Sequence, residues 1–384
     1  MDRLPPEGKY SVNSLERPAT PMTMTSLLAT TLDAVGTAQF DAFMRGSPFA
    51  AYQQDRAWAE LAPRTGVQDY LYFTMQRDGA LIGAAVIRRT RLAPGTWLGT
   101  VQRGPVVHAA AAMETVLRAL IDTARDAGCC SLQLSPRVRG RDMPIMAEAM
   151  RATGFVPLPE ARQPLHSTTG IVWLDKPEEA VLAGFKQRGR RQLKAAEKAG
   201  VSVRMATTPD DVASYQRILD DFRAAKRDYD MGGLLGAPAQ AALIAQLGGA
   251  MLLAELDGQV IGGHAFVRQG DEAIWLSLAT SSDLPAIPRS YPLLWEGMRA
   301  ARTLGCIGYD LAGMALGEPR DEGEANRMQF KNAFAPTRRI MPPMQVAALK
   351  PLRHAVFFGA RQLYRDSALR KRVAAWRGGD RRAG

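Results

Sequence analysis

The 384-residue sequence is poor in cysteine, with Cys129 and Cys130 adjacent and Cys306 alone, so no disulfide framework is expected and a reducing compartment is. Its four histidines, at 108, 166, 264 and 354, show no metal-ligand spacing, and neither Cys129 nor Cys130 has a histidine neighbour. A metal centre and a thiol nucleophile are therefore not expected. No run of about twenty apolar residues is present for a membrane-spanning helix. The first two dozen residues contain Pro5, Pro6, Pro18 and Pro21 but no basic start followed by an apolar core, so they do not read as a secretory signal. A disordered leader over residues 1–25 and a cytoplasmic location are the expectations. Acidic residues are in deficit: 38 Asp and Glu face 49 Lys and Arg, giving a formal charge of +11 and a pI of about 9.8. That balance favours a polyanionic partner, whether nucleic acid, a nucleotide-linked substrate or an anionic membrane face. A neutral enzyme with a basic tail would show it too, and Lys350, Arg353, Arg361, Arg365, Arg370, Lys371, Arg372, Arg377, Arg381 and Arg382 crowd the last 35 residues.

What is present is a repeat. Residues 70–87 read as two alternating strands about a turn at Asp78-Gly79, and residues 251–267 repeat the pattern about Asp257-Gly258; Asp-Gly between alternating runs is a strong hairpin signal. Each hairpin is followed by a helix, a glycine-cysteine pair (Gly128-Cys129, Gly305-Cys306) and a short apolar strand. The offset is 179 residues between Asp78 and Asp257, and 177 between the helix-ending Arg125 and Arg302. Two features at nearly one offset indicate an internal duplication. Each copy reads as helix, hairpin with a third strand (near Thr96–Val101 in the first), helix, strand, helix, strand. The first copy closes with a helix over Pro144–Thr153.

The densest stretch is Ser290 to Phe334. Leu293, Leu294, Met298 and Ala301 recur at helical spacing, and Gly305 is placed to stop the helix. A strand from Cys306 through Tyr309 to Asp310 follows, then a carboxylate-rich loop, then Lys331 set between Phe330 and Phe334.

This order of elements resembles the GNAT acyltransferase fold, whose central strands splay apart to admit an acyl donor. The coenzyme A signature of that fold is missing from both copies. One has Gln102, Arg103, Gly104 and Pro105 where it would stand and the other Ser282, Asp283, Leu284 and Pro285, so backbone amides are not obviously offered to a pyrophosphate. No cofactor is expected. As a doubled unit, the chain resembles the Fem family (FemA, FemB and FemX types), the aminoacyl-tRNA-dependent transferases that build peptidoglycan cross-bridges. Residues spread over positions 40 to 345 carry that resemblance: Gln53, Trp58, Arg103, Gly104, Pro105, Gly154 and Phe155 in the first copy; Arg190, Arg191, Ala196, Lys198, Gly200, Val201, Tyr291, Trp295, Glu296, Gly305, Tyr309, Asp310, Gly313, Phe330, Lys331 and Phe334 in the second. No heptad arm is visible, so the smaller FemX form is the nearer likeness.

The fold class is then α/β (α+β), with two tandem GNAT-like domains: residues 26–167 on the acceptor side, 168–345 on the donor side, and a basic helical tail, 346–384, as a candidate for packing back on the first domain. The resemblance implies that Lys331 stabilises charge as an ester carbonyl is attacked, with Asp310 beside it. It sets Arg190, Arg191, Arg103 and Arg64 against acceptor phosphates, and Phe330, Tyr291 and Tyr309 against the donor. Plainer readings exist for each: a lysine stem covering an apolar edge, a turn-forming aspartate, a solvated basic face and core aromatics.

The implied reaction transfers an aminoacyl group from aminoacyl-tRNA to an amine of a nucleotide- or lipid-linked peptidoglycan precursor, without a covalent enzyme intermediate. Two other functions fit the residues: an N-acyltransferase using an acyl-CoA or carrier-bound donor on a sugar or exopolysaccharide precursor, and a non-catalytic double module that binds RNA or membrane. A monomer is expected, with the basic C-terminus a candidate for peripheral contact with an anionic membrane. The transferred amino acid, the acceptor and the general base are not legible.

Overall fold

The computed structural model describes residues 23–62, 67–138, 140–159, 163, 168–225, 235–282, 287–315, 317–319 and 321–366. In chain order the elements are β1 (Met24–Ala29), α1 (Ala34–Gly46), α2 (Arg56–Leu61), β2 (Gln68–Arg77), β3 (Ala80–Ala93), β4 (Thr96–Arg103), β5 (Val106–Val107), α3 (Met113–Asp126), β6 (Cys129–Pro136), α4 (Asp142–Ala152), β7 (Val156–Pro157), β8 (Thr168–Trp173), α5 (Glu178–Gly184) and α6 (Gln187–Lys198). They continue with β9 (Ser202–Met205), α7 (Pro209–Ala225), α8 (Ala237–Leu247), β10 (Gly249–Leu256), β11 (Gln259–Gln269), β12 (Glu272–Thr280), α9 (Ser290–Thr303), β13 (Gly308–Gly313), α10 (Glu322–Asn332), β14 (Thr337–Ile340), β15 (Gln345–Ala348) and α11 (Pro351–Asp366).

Two sheets result, ordered β1-β2-β3-β4-β6-β15-β7 and β14-β8-β13-β12-β11-β10-β9, with β5 beside β3. Read from their hairpins outward they are the same sheet twice. Both hairpins turn at Asp-Gly with positive φ, 50° at Asp78 and Asp257, and 80° and 77° at the glycines, the backbone that type I′ turns require. The chain also crosses between its own halves. β8 joins the second sheet beside β13, and β15, after the whole second unit, returns to lie between β6 and β7 in the first. The boundary expected at residue 345 thus falls on a strand of the first sheet, and residues 346–348, expected as tail, belong to that strand. At the other end Met24 and Thr25 pair with Arg77 and Gln76; the rest of the expected leader, residues 1–22, lies outside the described residues.

Three local expectations shift. The strand drawn from Cys306 starts at Gly308, because Gly305 (φ 79°) turns the chain and Cys306 N–H donates to Ala301 O at 3.0 Å, closing α9. The helix drawn from Pro144 starts at Asp142, leaving Pro144 in the first turn, where its missing N–H is not needed. The polar loop before Lys331 is mostly helix: Asp321 accepts from Glu324 N at 2.7 Å and caps α10. The Asp-x-x-Glu spacing was the signal for it.

The sheets meet through few but specific contacts. Gln269 accepts from Tyr52 N–H at 3.1 Å and donates to Ala50 O, and Ala57 of α2 is buried with Leu235, Leu243 and Val267. Trp58, set in edge contact with Tyr52 at 5.2 Å, packs in this seam. Within the second unit Gly263 lets α7 approach β11: a Cβ there would sit 2.2 Å from Tyr215 Cδ2. Tyr215 cannot swing away, being fully buried with its hydroxyl 2.7 Å from Ser277 Oγ. Gly263→Ala is expected to cost about 1–3 kcal/mol through overpacking, read as a melting temperature several degrees lower; an unchanged melt would mean that α7 yields freely.

Candidate active site

The two sheets differ where the fold can open. Between β4 and β6 the parallel ladder runs from Trp97↔Cys129 to Arg103↔Pro136, so the first sheet is closed. Between β12 and β13 it covers Glu272↔Gly308 to Ile274↔Asp310 and then stops. From Trp275 and Leu311 onward the strands part, and the splay expected of both copies belongs to the second.

Lys331 bridges that opening. Its Nζ donates to Gly313 O of β13 at 2.7 Å and lies 4.9 Å from the Trp275 ring centroid of β12. Gly313 is presented by an irregular turn: Ala312 has φ 59°, and the Asp310 carboxylate accepts from Ala312 N–H at 2.7 Å and from the Thr169 hydroxyl of β8. Asp310 therefore holds the end of β13 in shape, a positioning role. Lys331 is 8% exposed, and burial lowers its pKa to about 8, an effect that Asp310 opposes and Arg327 reinforces. Burial likewise pushes the Asp310 carboxyl up, against its two hydrogen bonds.

An aromatic wall flanks the opening. Phe330 lies 6.3 Å from Trp275 and 4.9 Å from Tyr291, whose hydroxyl accepts from Arg188 Nε at 3.2 Å. Beyond it a cavity of about 380 Å³ runs between the start of α6 and the face of α10 that carries Ala325, Met328, Gln329 and Asn332, with Lys186 and Arg188 on its other bank. The close approach of the two helices depends on Gly189, where a Cβ would meet Ala333 O at 2.7 Å.

Of the residues singled out from sequence, Lys331, Asp310, Phe330 and Tyr291 come together here. Tyr309 does not: it is fully buried on the core side, its hydroxyl on His264 Nε2. His264 donates from Nδ1 to Ser277 O at 2.7 Å, and burial lowers its pKa to about 4, so it is neutral. Arg190 folds back onto Ala183 O at 3.0 Å and onto Phe185 O, capping α5, while Arg191 faces solvent. Within the same basic run it is Lys186 and Arg188 that reach the cavity. Arg103 is at the seam between the sheets, with φ 58° at the end of β4. Burial lowers its pKa, while the Asp310 and Tyr52 charges raise it; Tyr52 itself is pushed up to about 12, chiefly by burial. Arg64 lies outside the described residues.

Sequence reasoning missed Trp275, Thr169 and a buried ion cluster at the seam. Glu272, 1% exposed, receives Arg339 through two bonds of 2.6 and 2.9 Å and Arg137 of the first unit at 2.8 Å. These partners lie 67 and 135 positions away, and no local pattern marks them.

The fold and the opening at Lys331 define an acyltransferase built from two GNAT-like units. The FemAB family profile matches residues 35–153 and an acetyltransferase (GNAT) domain profile matches residues 183–326. The first unit is thus similar to the FemAB family and the second to GNAT acetyltransferase domains, and the architecture is that of two tandem GNAT-like units. Among solved structures it is similar to FemX, at 16% identity and a TM-score of 0.70 over 86% of this chain and 99% of that one. It is also similar to the C-terminal domain of a putative lysylphosphatidylglycerol synthetase from Agrobacterium fabrum (16%, 0.53, 85% and 97%). A tandem GNAT protein from the clavulanic acid biosynthesis pathway gives 14%, 0.52, 85% and 98%. At these identities the likeness is one of fold. No curated protein sequence matches the chain.

Proposed function

We propose that the protein moves an aminoacyl group from aminoacyl-tRNA to an amine of a peptidoglycan precursor at the open end of β12 and β13. The observation that carries this reading is the Lys331 ammonium held across two parted strands by Gly313 O and Trp275. The FemAB match supports the reaction class. The amine nitrogen attacks the ester carbonyl, a C–N bond forms, and the carbonyl oxygen becomes an oxyanion beside Lys331. Collapse breaks the ester C–O bond; the ribose oxygen leaves and takes up the proton lost by the amine. An activated ester meeting an amine needs orientation and charge stabilisation rather than a nucleophile on the enzyme. Phe330 and Tyr291 offer a stacking wall for the donor's terminal base, and Lys186 and Arg188 a cationic bank for its phosphates. Arg103 at the seam and Arg191 on the exposed face of α6 remain the acceptor-side candidates.

The test is incubation with charged total tRNA and nucleotide- or lipid-linked muropeptide precursors, read as a mass gain of one aminoacyl residue on the acceptor. The GNAT domain match favours a second reading, an acyl-CoA-dependent N-acyltransferase. A mass gain with acyl-CoA alone would decide for it.

Lys331 sets a pH dependence. Its folded pKa is lowered to about 8, so the ammonium is present below that value and lost above it. The ratio of wild-type to Lys331→Arg rates, in which the acceptor's own titration cancels, is expected to fall as pH rises through about 8, because arginine keeps its charge. A flat ratio from about pH 6.5 to 9.5 would remove the ammonium from the mechanism.

A further inference from the structure

We propose that α11 is a membrane-surface element, which docks the first unit on an anionic bilayer by an outward apolar stripe and the basic charge of the C-terminal sequence that carries it. This is independent of the acyl-transfer reading.

The helix is pinned along one side. Leu349 and Lys350 donate their N–H groups to Cys130 O at 2.9 and 3.0 Å, His354 Nδ1 meets Ser131 Oγ at 2.7 Å, and the His354 ring stacks on Phe358 at 4.4 Å. Arg353 reaches Gly95 O and Thr96 Oγ1 at 3.4 and 3.3 Å. These contacts turn His354, Phe357 and Phe358 toward the sheet, where they are half-buried. Leu352, Ala355, Val356 and Gly359, at i, i+3, i+4 and i+7, lie on the other face and are exposed. Leu352 is 85% exposed, the highest value among the described large hydrophobics, and Val356 is 66% exposed, level with Val35.

Charge says what covers this stripe. From Lys350 onward the sequence has ten Lys and Arg against Asp366 and Asp380, so this tenth of the chain holds +8 of the formal +11. A helix with an apolar face that is continuous in sequence with so basic a segment suits the plane of an anionic bilayer, apolar side inward, and each basic residue near such a surface strengthens binding about fivefold. RNA would satisfy the charge but give Leu352 and Val356 nothing to do.

The experiment is sedimentation of the full-length protein with vesicles of phosphatidylcholine alone or with about 30 mol % phosphatidylglycerol. Partition into anionic vesicles is expected to exceed that into neutral ones by about a hundredfold at low salt, and to weaken as salt is added. Leu352→Asp with Val356→Asp is expected to lower it by at least about tenfold with an unchanged melting temperature, since both side chains already face water. Equal binding by parent and double variant would overturn the proposal. So would indifference of the parent to lipid charge.

Discussion

Lys331→Met is expected to lower turnover on the order of a hundredfold while leaving KM for the acceptor nearly unchanged. The ammonium faces charge that exists only during attack, so its loss acts on the transition state and not on ground-state binding. A hundredfold is the scale seen when one donor to an oxyanion is removed. Methionine keeps the stem that packs beneath Trp275 and relieves the burial of a charge, so the fold should survive. Lys331→Arg should restore part of the rate, because a planar fork cannot place its charge where a compact ammonium sits. A methionine variant with full turnover would reduce Lys331 to a packing stem and move the search to the neighbourhood of Asp310.

The second large effect is on stability. Glu272→Gln leaves Arg137 and Arg339, 14% and 13% exposed, facing a neutral group at the seam. Removing one member of a buried charge cluster costs about 3–5 kcal/mol, because the remaining charges keep their desolvation penalty without its compensation. The melting temperature should fall by roughly 10 °C. Replacing all three residues by methionine should cost far less, since the uncompensated charge goes too. If the single and triple variants melt together, the cluster contributes shape and not electrostatics.

The sequence carried the repeat because its signals are local: Asp-Gly at each hairpin, glycine after each helix, apolar spacing within α9. Lys331 was conspicuous as a cation between Phe330 and Phe334. Local pattern could not tell which copy is open, because the difference lies in whether β12 keeps its ladder to β13 beyond Ile274. Nor could it separate Arg188, which reaches a cavity, from Arg190 two positions on, which caps the preceding helix. The Glu272 cluster joins three distant segments, and Arg137 looks from sequence like any loop arginine.

The exchange of β8 and β15 bears on how the chain is made. When Pro157 of β7 has left the ribosome, β6 still lacks the strand that will lie beside it, and that strand ends 191 residues later, at Ala348. At ordinary elongation rates the wait is roughly 10–40 s, during which β6 presents Leu132 and Leu134 on an unpaired edge, a template for wrong pairing. The second unit receives β8 before its own strands emerge and can close as it is synthesised. The half that is translated first is finished last, so of the two it is the longer exposed to wrong pairing.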